Sequence, residues 1–134
     1  MEEVDKALAN IINDIAPETT PKIQKALGLT LDTLNEILVI PKWIACDSVK
    51  YVLQKYSEKI KSAPENEIIQ VVPEIGGEIL KRLPIISSNA LKDLYAELLA
   101  KASIKSEVEK VHPRFIQLLE SLSEDEVLII KIFY

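Results

Sequence analysis

The sequence predicts an all-α protein, an irregular bundle of about six or seven helices, on three observations. Apolar residues recur at i, i+3, i+4 and i+7 in almost every segment, the signature of a helix with one buried face. The segments are bounded by Pro, Ser or Gly, which start or stop helices through a fixed φ, a capping oxygen or a flexible backbone. The apolar 48% of the 134 residues is carried mainly by Ile and Leu, enough aliphatic surface to offset the entropy of ordering one domain and to exclude disorder.

Val4, Leu8, Ile11, Ile12 and Ile15 form a first stripe, closed at Ala16 because the residue before Pro17 is pushed out of the helical region. Thr20 caps a second helix with Pro21 in its first turn, and Ile23, Ala26, Leu27, Leu31, Leu34 and Leu38 make its seam. Gly28 and Thr30 weaken it locally, and Pro41 kinks or ends it. A third helix is expected from Lys42, with Ala45, Val49, Val52, Tyr56 and Ile60 inward and Lys50, Gln54, Lys55, Glu58 and Lys59 largely outward, ending by Ser62 and Pro64. Residues 65–72 read as an extended linker, although the β-branched run Ile68 to Val72 also suits a strand.

Pro73 opens a short helix carrying Ile75, Ile79, Leu80 and Leu83, in which Gly76 and Gly77 are expected to admit a close backbone. Pro84 stops it, and Ser87, Ser88 and Asn89 offer caps to the clearest helix of the chain, with Leu91, Leu94, Tyr95, Leu98, Leu99 and Ala102 on one face. Lys92, Asp93, Glu97 and Lys101 take the other side, Glu97 and Lys101 at pairing distance. A connection from Ser103 to His112 leads to a helix at Pro113 striped by Phe115, Leu118, Leu119 and Leu122, and Ser123 with Glu126 forms a capping box for a last one. The chain then runs to Ile132-Phe133-Tyr134 with no stop signal, which suggests the N-terminal part of a longer protein or a tail that docks. The expected organisation is one domain, residues 1–134, in two lobes, 1–64 and 73–134, joined by the linker 65–72.

Composition excludes several classes of function. A lone Cys46 makes no internal disulfide, and the N-terminus lacks the pattern of a secretory signal, which points to a reducing cytoplasm. The longest apolar run, Ile37 to Ile40, is far short of the ~20 residues of a transmembrane helix. A net charge of -5 with only Arg82 and Arg114 as arginines disfavours nucleic acid, whose affinity comes from basic stripes. A nucleic-acid regulator would need Lys81, Arg82, Lys105, Lys110 and Arg114 on one surface.

No metal-ligand spacing, phosphate loop or dinucleotide fingerprint is present in the sequence, so no metal, cofactor or small-molecule ligand is inferred. His112, the single histidine, is the weak catalytic candidate, with Glu97 as the carboxylate that would orient it. Its position before Pro113 also suits a hydrogen bond to a helix start, and that structural role is the preferred reading. Cys46 is expected inside a helix as core packing.

Three blocks carry a resemblance: Val72 to Leu80, Leu94 to Ser103, and Val111-His112-Pro113-Arg114-Phe115 followed by Leu119, Leu122, Ser123 and Glu126. In order and spacing they resemble the Abi-alpha family of bacterial abortive-infection proteins, largely a domain of unknown function. Its motif positions fall on Pro73, Gly76, Glu97, Leu99, His112, Pro113, Phe115, Leu122 and Ser123. The resemblance implies a cytoplasmic bacterial protein of phage defence and no particular reaction. Together with the apolar excess it suggests a helical interaction module with a protein partner or a second copy, with a toxin-like enzyme or nucleic-acid-binding regulator using His112 as the alternative.

Overall fold

The computed structural model describes residues 19–35, 46–86, 88–111, 113–121 and 126. Among these the fold is all-α, as expected. Five helices follow one another: α1 (Thr20–Asn35), α2 (Asp47–Ile60), α3 (Pro73–Leu80), α4 (Asn89–Ala102) and α5 (Pro113–Ser121). Short 3-10 turns stand at Glu65–Glu67, Leu83–Ile85 and Val108–Lys110. The helix expected before Pro17, the Pro41 break and most of the helix expected after Ser123 lie outside the described residues.

The local signals place the boundaries well where partners are close in sequence. Ser88 is the N-cap of α4, its hydroxyl accepting from the Leu91 N–H at 3.3 Å. Pro73 sits at the first position of α3, where its missing N–H costs nothing. Two expectations need correction. Cys46 is not inside a helix: its backbone is extended, at ψ 132°, and it is the N-cap of α2, because Asp47 and Ser48 supply a better first turn. Leu118, expected in a buried stripe, is 57% exposed, while its neighbour Leu119 is buried. One turn of an amphipathic helix buries only the residues facing its partner, and α5 meets the rest of the protein chiefly through α3.

The core centres on α4. Besides the predicted Leu94, Tyr95, Leu98, Leu99 and Ala102, it buries Ala90, Ala96 and Ala100, so more than one stripe is covered. Small side chains on the flanks bring neighbouring backbones near, and α2 with α4 forms the most extensive helix pair, through Val49, Val52, Leu53, Tyr56 and Ile60 on the α2 side. Ile23, Ala26 and Leu27 of α1 and Ile75, Ile79 and Leu80 of α3 complete a single apolar cluster that draws on residues before 64 and after 73 alike.

The stretch 65–72 is woven into that cluster. Ile68 and Val71 are buried, and extended backbone at Ile68 forms an isolated antiparallel bridge with Ile104. The Ile69 N–H donates to Ser103 O at 2.9 Å, the Lys105 N–H to Glu67 O at 2.8 Å, and the Val71 N–H to Ala26 O at 2.8 Å. The β-branched run is therefore neither a strand of a sheet nor a free tether. It crosses between α1 and the exit of α4, with Ile68 and Val71 in the core and Gln70 and Val72 in solvent.

Gly76 is buried, but the expected close approach is not made at Gly77, where an added Cβ would meet nothing within 4 Å. Its φ is not positive either. Gly77→Ala is accordingly expected to stabilise the protein by about 0.5–1 kcal/mol, through lower unfolded-state entropy and better helix propensity. Urea denaturation checks this, and a lower midpoint would contradict it.

Candidate functional site

Glu97 lies on α4, and its carboxylate is engaged by one lysine from α2 and one from its own helix. Lys59 Nζ of α2 is 2.5 Å from one oxygen and Lys101 Nζ is 4.0 Å from the other. At a third exposed, such a pair contributes at most about 1 kcal/mol, and its clearer effect is to set the facing of α2 on α4. His112 lies outside the described residues, as do Leu122 and Ser123. Of the other motif positions, Pro73 and Pro113 begin α3 and α5, Leu99 is fully buried, and Phe115 falls within α5. On α3, the Glu78 carboxylate is held by Lys81 at 2.9 Å and Arg82 at 3.5 Å.

The hydrogen bond from Lys81 holds the Glu78 carboxyl below its ordinary value of 4.5, against a smaller opposing effect of burial. A depressed folded value favours the ionised form in the native state. Its contribution is therefore present above the unfolded value and is lost as pH falls through the folded one. With the side chain 41% exposed, screening keeps the effect well under ~1 kcal/mol. Glu78→Gln is expected to lower slightly the neutral plateau of a melting-temperature profile and to leave its most acid points unchanged, so that the acid limb between them is flatter.

A polar cluster that sequence reasoning missed joins α2 to the start of α4. The Tyr51 hydroxyl donates to Asp93 Oδ1 at 2.7 Å, and the ammonium groups of Lys55 and Lys92 lie 5.7 and 5.5 Å from the ring centroid. The Asp93 carboxylate, by accepting the hydrogen bond of the phenol, raises the Tyr51 pKa above the usual 10. The i, i+4 spacing of Tyr51 and Lys55 was a legible signal, but Lys92 and Asp93 join them only through the α2–α4 packing.

Among the described residues no three His, Cys, Asp or Glu side chains gather as a metal site, and no helix is long and apolar enough to cross a membrane. Among the described residues three large apolar side chains stand in solvent: Val72 at 48%, Ile85 at 77% and Leu118 at 57% exposure. Val72 and Ile85 flank α3 and its following turn, and Leu118 is on α5, which packs against α3.

A family model described as abortive infection alpha matches residues 48–134. The chain belongs to the abortive infection alpha family. Membership carries a role in abortive infection, a form of phage defence. The matched region holds α2 to α5, the Tyr51 cluster and the three exposed apolar side chains, whereas α1 lies before it. Neither the curated proteins nor the solved structures include a match to this chain.

Proposed function

We propose that this abortive infection alpha protein acts in the bacterial cytoplasm as a helical interaction module that engages a protein partner or a second copy, and that it performs no chemistry itself. The observation that carries this reading is the exposure of Ile85, in the turn that follows α3, and of Leu118, on the helix that packs against α3, both within the family-matched region. Apolar side chains left in water mark interaction sites where they gather into a patch rimmed by polar residues. The engagement of Glu97 with two lysines supports the same reading, because a carboxylate held by Lys59 and Lys101 is poorly placed to orient an imidazole.

The test is phage challenge of cells expressing the wild type, the double variant Ile85→Ser with Leu118→Ser, and His112→Ala, alongside pull-down during infection and circular dichroism of each protein. The double variant is expected to stay folded and to lose both protection and its co-purifying partner, while His112→Ala protects normally. A folded His112→Ala protein that fails to protect would overturn the reading in favour of catalysis or nucleic-acid handling.

A further inference from the structure

We draw no further inference here: the strongest candidate, the exposed apolar surface at Ile85 in the turn after α3 and at Leu118 on α5, belongs to the surface already described, and nothing in the structure shows what covers it.

Discussion

Truncating Leu98 to alanine is expected to cost about 3 kcal/mol and to lower the melting temperature by roughly 10 °C. Leu98 is fully buried on the helix around which the core is arranged, and the flanking Ala96 and Ala100 are buried as well. Their methyl groups have no rotamers with which to fill the space, so a cavity persists and adds to the lost transfer free energy. Leu118→Ala is the control, since an exposed leucine is expected to change stability by less than ~0.5 kcal/mol. Differential scanning calorimetry of the two variants checks the contrast. A loss below ~1 kcal/mol for Leu98→Ala would mean that α4 does not form the centre of the core.

The second large effect concerns a buried hydroxyl pair. Ser103 Oγ donates to Leu99 O at 2.8 Å, which commits its single proton, so the Tyr56 hydroxyl 2.7 Å away must be the donor to Ser103. Burial raises the Tyr56 phenol well above its ordinary range, and it stays protonated at any pH the fold survives. An asymmetry follows. Tyr56→Phe removes one donor and leaves Ser103 bonded to the carbonyl, at a cost of about 1 kcal/mol. Ser103→Ala strands the tyrosine hydroxyl inside the core, at a cost of about 2 kcal/mol. The double variant is expected to be no less stable than Ser103→Ala alone, because the stranded group is then gone. Urea denaturation of the three proteins reads the cycle, and a larger cost for Tyr56→Phe would reverse the assigned donor.

The elements legible in sequence are those whose causes lie within a few residues. Pro73 and Pro113 open helices, Ser88 caps one, and the face of α4 from Leu94 to Ala102 follows its spacing. Cys46 was misread because the apolar spacing runs through it without a break, whereas the helix starts one residue later, where Asp47 supplies a favourable first turn. The candidate site was less legible. The i, i+4 relation of Glu97 to Lys101 can be read from sequence, but its stronger partner Lys59 stands on another helix. Tyr51 and Asp93 likewise meet only after α2 packs on α4.

What the sequence by itself determined is therefore the class of fold, most helix starts among the described residues and the family blocks from Val72 onward. Only the tertiary structure decided that residues 65–72 are sewn between α1 and the exit of α4, that Lys22 and Lys25 hold α1 to main-chain carbonyls after the end of α2, and that Leu118 faces water. The physical reason is the range of the interactions. Dihedral restriction, capping and helical periodicity act over four residues or so, within reach of a pattern. Hydrogen bonds such as Lys22 to Lys61, 39 positions apart, depend on which faces the packed core has already brought together.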